Sequence, residues 1–515
     1  MDVDVHNRRS KASKRDGVMV GLRARTFYGL GWSGTAQVFR QLLQFATSVV
    51  LARLLSPQEF GLIGMIVVFT GFASLFTDLG LGAAIVQKLD LEERHLSSAF
   101  WVSIAVGLLL TGLTVAVAPL MARFYDEPDL EPFTRVIAFN FLVGSVNVVQ
   151  NALLLKNMDF RLLFQIEIVA TGLAGLAAIG MAFMGFGVWS LVVQSLLITA
   201  ISVGMMWRLS AWRPTMAVDI RALKELLGFS SNLLGFNVLN YWVRNLDNFL
   251  IGKFIGPSGL GIYTRAYSLM LLPITQVTSV VSRVMFPALS AIQKDVERVR
   301  HAYLRSTQAI ALVTFPMMIG LLVVAEPFVL VVYGEKWSEV IPILRVFCLI
   351  GMGQSIGTTV GWIYTSQGRA DLMLKWGIFS AVVYAISFII GLRWGVMGVA
   401  VAYGISGYVI LWYPAWAIPG RLINLRFKEM LINLRGPFYC AVAMGIGVWA
   451  VRYALPSNWP QWLFLVTQVP SGVLIYGVLV HFFRIPAYVE IQEVLFQRTK
   501  RRLHASAGLS EVRTD

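Results

Sequence analysis

Apolar runs of 18 or more residues recur from Phe27 almost to the end of this 515-residue chain. Each is long enough to cross a hydrocarbon core of roughly 30 Å as a helix. Their bounds fall near 27–51, 60–86, 97–120, 132–155, 162–184, 186–207, 228–252, 259–289, 306–325, 340–365, 373–392, 395–417, 437–455 and 461–483, about fourteen in all. The runs are continuously apolar and lack the alternation of barrel strands, so helices are required. Composition agrees: 57% of residues are hydrophobic and 14% charged, against about 45–50% and about 25% in soluble domains. The expected class is an all-α polytopic membrane protein. The first 26 residues are basic, and the run that follows is longer than the roughly 7–15 residues of a signal-peptide core. It reads as a retained first helix.

The net charge of +15 would suit a nucleic-acid partner, but its placement points to a membrane surface. Of the 43 Lys and Arg, 31 fall in the tails and loops on the side of the N-terminus and 6 in the opposite loops. That bias places both termini in the cytoplasm, with the excess charge facing anionic lipids and no nucleic acid. Cys348 and Cys440 lie in apolar runs, and the five histidines are scattered. Neither a disulfide framework nor a zinc site is expected, and no metal or other cofactor.

The chain also repeats itself. "LARLLSPQEFG", Leu51 to Gly61, resembles "IGKFIGPSGLG", Ile251 to Gly261, at an offset of 200. In each, one helix ends, a proline-centred turn follows, and the next helix opens. "GVWSLV" from Gly187 echoes "GVMGVA" from Gly395, and "TRVIAF" from Thr134 echoes "LRVFCL" from Leu344. Six helices per half is an even number, so the repeats are expected to be parallel, with two further helices appended. The expected division is a basic tail 1–26, an N-lobe 27–207, a cytoplasmic linker 208–227, a C-lobe 228–417, helices 13 and 14 over 437–483, and a tail 484–515. Within the linker, "VDIRALKELLGF" suits a short amphipathic helix on the cytoplasmic surface or a solvated connector.

With these residues in view, the chain resembles the multidrug/oligosaccharidyl-lipid/polysaccharide exporter superfamily. "LARLLSPQEFGLIGMIVVF", "FTDLGLGAAIVQ", "GIYTRAYSLMLLP" and "VVYGEKWSEVIPILRVFCL" are similar to its bacterial polysaccharide flippase branch, the Wzx type. The resemblance covers roughly 27–485. It implies a protein of the bacterial inner membrane, not an enzyme, that moves undecaprenyl-diphosphate-linked oligosaccharide between leaflets by alternating access of two lobes around a cationic cavity. Polymerase and glycosyltransferases of the same pathway are the implied partners.

A charge at mid-bilayer costs at least about 2.5–3.5 kcal/mol on insertion scales and should face protein or a wet cavity. Arg40, Arg244 and Arg265 are therefore candidate substrate contacts, because guanidinium grips phosphate oxygens bidentately. Arg244 and Asp247 have a plainer reading as a local i,i+3 ion pair, and Arg265 one as a snorkelling side chain. Asp78, Glu167 and Asp247 are candidates for Na⁺ or H⁺ coupling, or for pairing with arginine. Asn147, Gln150 and Asn151 are candidates for sugar hydroxyls or for interhelical hydrogen bonds, and Tyr241 or Trp242 for stacking. Gly353, Gly357 and Gly361 suit close helix contact. The rival functions are a drug/cation antiporter of the same superfamily, a membrane polysaccharide polymerase or ligase, and a scramblase.

Overall fold

A computed structural model describes residues 39–216, 218–456, 458–490 and 492–493, without the side chains of 227–236 and 239. The basic tail 1–26, the start of the first helix and the end of the C-terminal tail lie outside the described residues. No strand occurs among those described. The chain divides into two compact units, the first ending at Pro257 and the second starting at Ser258.

The first unit contains α1 (39–54), α2 (Pro57–Ser74), α3 (Leu81–Gln87), α4 (Glu93–Tyr125), α5 (Leu130–Ile137), α6 (Phe139–Ser145), α7 (Val148–Lys156), α8 (Phe160–Phe183), α9 (Val188–Leu209) and α10 (Ile220–Phe254). In the second are α11 (Pro257–Ala291), α12 (Val296–Val323), α13 (Ala325–Val332), α14 (Val340–Gly357), α15 (Val360–Ser366), α16 (Ala370–Gly391), α17 (Gly395–Ile405), α18 (Trp412–Gly420), α19 (Phe427–Ala454) and α20 (Gln461–Phe482). Among the described residues ten helices are long and apolar enough to cross a membrane, or eleven if the bent pair formed by Leu130–Ser145 and Val148–Lys156 counts as one span. The differences from the expected fourteen fall at three places. The start of α1 is outside the described residues. Asn and charged side chains dilute α10, and the span 370–423 joins two expected runs.

The turns flagged by the repeat are built alike. Ser56 and Glu59 cap α2 reciprocally, the Ser56 N–H reaching the Glu59 carboxylate at 2.6 Å, and Pro57 takes the first helical position where no N–H is needed. Pro257 opens α11 in the same way. The sixth helix of each expected half begins at a glycine with positive φ, Gly187 at 53° and Gly395 at 67°, a backbone region side chains avoid. Of the three spaced glycines, Gly353 is the crowded one: a Cβ there would lie 2.8 Å from both the Trp412 ring and the Tyr408 hydroxyl.

α1 and α8 run parallel at close range. The face of α8 bearing Ala170, Thr171, Ala174, Gly175 and Ala178 is buried, and small residues let backbones approach. Leu43 meets Gly172, Thr47 meets Gly175, and Leu51 shares a cluster with Ala178. A Cβ on Gly175 would sit 2.8 Å from Thr47 Oγ1.

The linker does not form a separate surface helix. Residues 211–215 and 218–219 are not helical, and Asp219 caps α10 by accepting from the N–H groups of Arg221 (2.8 Å) and Ala222 (3.4 Å), so one helix runs on from Ile220. This non-helical stretch is held to α4: Ser97 and Ser98 hydroxyls accept from the N–H groups of Thr215 and Asp219, at 3.0 and 2.8 Å. Early in α10, Glu225 takes Lys88 Nζ at 2.6 Å and His95 Nε2 at 3.2 Å. α10, expected to open the second lobe, packs with α2, α3 and α4 of the first unit.

Two outcomes are expected. Gly175→Leu should push α1 from α8 and lower stability by about 1–3 kcal/mol, seen as a lower unfolding temperature in detergent. Hydrogen bonds from Lys88 and His95 hold the Glu225 carboxyl down at about 2, against 4.5 ordinarily. Its contribution is complete above the ordinary value and is lost as pH falls toward 2. Acid melting curves should therefore be less steep for Glu225→Gln than for the wild type over that window.

Candidate functional site

Five of the polar residues expected in the site converge on one cavity of about 1080 Å³ within the first unit: Arg40, Asp78, Asn147, Asn151 and Glu167. Each arrives by a separate local device. α1 carries Arg40 and, one turn on, Gln44. α8 carries Glu167, and the small-residue contact of α1 with α8 sets their facing ends together. Arg40 Nη1 donates to Glu167 Oε2 at 3.0 Å, with side chains 27% and 48% exposed. The charge on each explains how the other is tolerated between spans.

Asp78 occupies a break in the second expected span. After α2 the backbone turns through Leu79 (φ 47°) and Gly80 (φ 73°), and α3 restarts with its first N–H groups unsatisfied. Asp78 Oδ1 accepts from the Gly82 N–H at 2.7 Å, which also places negative charge at a helix N-terminus. A Cβ on Gly82 would lie 3.0 Å from Asp78 Oδ2, so the glycine keeps the carboxylate close. Farther along, α6 gives way to α7 within a 47° bend, and Asn147 stands at the start of α7 without capping it. Its Oδ1 is buried and meets no hydrogen-bond donor among the described residues. Asn151 follows one turn later.

Sequence reasoning missed Gln44, Gln87, Thr199 and Ser202, which also line the cavity. Their signal was present: Gln44 is one turn from Arg40, and Thr199 and Ser202 share a face of α9. Gln150, grouped with Asn147 and Asn151 from sequence, is fully buried and absent from the lining. Helical spacing alone does not separate it, since Gln150 stands at i+3 from Asn147; its burial against protein does.

The remaining candidates lie outside this cavity. Arg244 is exposed on α10, and Asp247 is buried. Asp247 Oδ1 accepts from the Asn248 N–H at 2.8 Å, and no ion pair with Arg244 occurs among the described contacts. Tyr241 and Trp242 are engaged by protein: the Tyr241 hydroxyl donates to the Val68 carbonyl at 2.7 Å, and the Trp242 ring lies 5.3 Å from Phe72. In the second unit, the Arg265 guanidinium sits 5.3 Å from the ring centroids of both Tyr333 and Trp337. Cation–π contact with two buried rings makes Arg265 part of the packing there.

This is a polytopic helical membrane protein with a cavity lined by both polar and apolar side chains, among the latter Val148, Leu155, Phe160 and Ile166, and its fold recurs in transporters. It matches the lipid II flippase MurJ in an inward closed conformation, at a TM-score of 0.68 and 16% identity, covering 87% of this chain and 98% of that one. A multidrug resistance MATE family transporter of the MOP superfamily, outward-facing, matches at 0.53 and 16%, covering 76% and 95%. The chain belongs to the family described as polysaccharide biosynthesis protein, whose model matches residues 50–342. It is 29% identical to the teichuronic acid biosynthesis protein TuaB of Bacillus subtilis (strain 168) over 485 residues, 93% of this chain and 99% of that one. To the lipopolysaccharide biosynthesis protein WzxC of Escherichia coli (strain K12) it is 25% identical over 499 residues, 95% and 100% of the two chains.

The ion pair is testable by a double-mutant cycle. Arg40→Ala and Glu167→Ala should each lower stability, with a coupling of about 0.5–1 kcal/mol after allowance for partial exposure. Combining the exchanges Arg40→Glu and Glu167→Arg should recover part of the loss in thermal unfolding.

Proposed function

We propose that the protein is a flippase that moves undecaprenyl-diphosphate-linked oligosaccharide units across the bacterial inner membrane during polysaccharide biosynthesis. The observation that carries this reading is a large cavity, lined by an ion pair, a second carboxylate and several amides, in a chain whose length and apolarity demand a hydrocarbon surround. A polar headgroup has to cross where lipid offers no hydrogen bonds, and such a cavity replaces the water it leaves. Relatives named for teichuronic acid, lipopolysaccharide and succinoglycan biosynthesis support a saccharide cargo.

In this reading the two units alternate access, both termini are cytoplasmic, and the basic loops face the anionic leaflet. Arg244, exposed on α10, is the guanidinium assigned to the diphosphate. Asp78, Glu167 and Asp247 are the carboxylates through which H⁺ or Na⁺ would couple to transport. A drug/cation antiporter is the second reading, favoured by one observation: two carboxylates and one guanidinium line the cavity.

Arg244→Ala is expected to abolish polysaccharide export in a strain lacking other flippases while membrane insertion stays intact. Arg244→Lys should keep part of the activity, since charge remains and bidentate geometry goes. Normal export by Arg244→Ala removes the diphosphate assignment.

A further inference from the structure

The cavity of the first unit is the wrong receptor for a diphosphate. Its ionisable lining groups are Arg40, Asp78 and Glu167, and the guanidinium is already paired with Glu167 at 3.0 Å. An ionised diphosphate carries oxygens that only accept hydrogen bonds. Here it would meet two carboxylates whose oxygens also only accept, at a separation where like charges repel.

The hydrogen-bonding capacity left over says what fits instead. One oxygen of Asp78 is taken by the Gly82 N–H and one of Glu167 by Arg40, which leaves each carboxylate a second oxygen. Asn147 belongs to the same lining, and its Oδ1 is itself buried and meets no donor among the described residues. Alongside these acceptors, Gln44, Gln87 and Asn151 contribute amide N–H donors. A ligand matching both sets must donate and accept at closely spaced atoms. Sugar hydroxyls do this; an ionised phosphate lacks the donors, and a simple onium ion such as tetraphenylphosphonium has neither donors nor acceptors. The volume of about 1080 Å³ is just above the range of about 300–1,000 Å³ for small-molecule pockets, room for more than one sugar ring.

We infer that this cavity is a saccharide subsite, selective for uncharged sugar units, and that the diphosphate of the same substrate is held elsewhere. The inference rests on the flippase reading and divides its substrate between two places. It makes Asn147, Asn151 and Gln44 determinants of which glycan is accepted, and it gives the Arg40–Glu167 pair the task of keeping a charged arginine from attracting phosphate into the sugar site.

The test uses the full chain in lipid nanodiscs with three probes: farnesyl β-maltoside (sugar without phosphate), farnesyl diphosphate (phosphate without sugar) and tetraphenylphosphonium. Equilibrium binding is measured for wild type, Asn147→Leu, Asn151→Leu and Gln44→Leu, the last two guarding against a folding defect at the α6–α7 bend. The maltoside Kd is expected to rise about ten-fold in at least one variant that runs as a monodisperse species, as loss of a buried hydrogen bond implies. The diphosphate Kd should stay within about two-fold, well under the tenfold that 1.4 kcal/mol produces. A weakened diphosphate with unchanged maltoside overturns the inference and leaves the flippase reading standing, as does maltoside binding indifferent to all three substitutions. Binding of tetraphenylphosphonium by wild type with neither lipid bound overturns the flippase reading and the inference with it.

Discussion

Hydrocarbon donates and accepts no hydrogen bonds, and that single property governs how this chain is built. A helix that runs unbroken through lipid satisfies itself; one that breaks must find partners inside the protein. The first unit breaks two of its expected spans, after α2 and between α6 and α7, and both breaks deliver side chains to the cavity. At the first, Asp78 satisfies the freed Gly82 N–H. At the second, Asn147 joins the lining of the cavity. The irregular backbone and the polar chamber are thus one feature, each making the other tolerable.

The stretches through which the chain resembles polysaccharide flippases acquire physical meaning from this. "LARLLSPQEFG" holds the Ser56–Glu59 capping box and Pro57. "FTDLGLGAAIVQ" is the Asp78 break with its two left-handed residues. "GIYTRAYSLMLLP" supplies Arg265, and "VVYGEKW" the two rings that face it. All four specify where helices stop, restart or lock together. Only the second reaches the cavity, through Asp78 and Gln87; Arg40, Asn147, Asn151 and Glu167 lie outside all four.

Much of the site was legible because charge inside a membrane span is conspicuous. Arg40, Asp78 and Glu167 stand out against apolar neighbours, and Asn147 with Asn151 by helical spacing. Three limits applied. The i,i+3 proximity of Arg244 and Asp247 suggested a local pair, whereas Asp247 Oδ1 accepts from the neighbouring Asn248 N–H. Arg265 looked like a ligand contact, though aromatic side chains about 70 positions later in the chain surround it. Uncharged Gln44, Thr199 and Ser202 passed unremarked, since a hydroxyl or amide in a span is common and serves packing as readily as binding.

The sequence by itself determined that the chain is helical and membrane-spanning and where the turns before α2 and α11 fall, because bilayer thickness is recorded in run length and backbone constraint in proline, glycine and capping residues. Only the tertiary structure decided that Arg40 meets Glu167, 127 positions away, and that Gln150 turns aside while Asn147 and Asn151 face the chamber. The reason is rotational. Composition sets how long a helix is, but the angle at which it presents each face is fixed by close packing, here Gly172 and Gly175 of α8 against Leu43 and Thr47 of α1, and that contact exists only between segments distant in the chain.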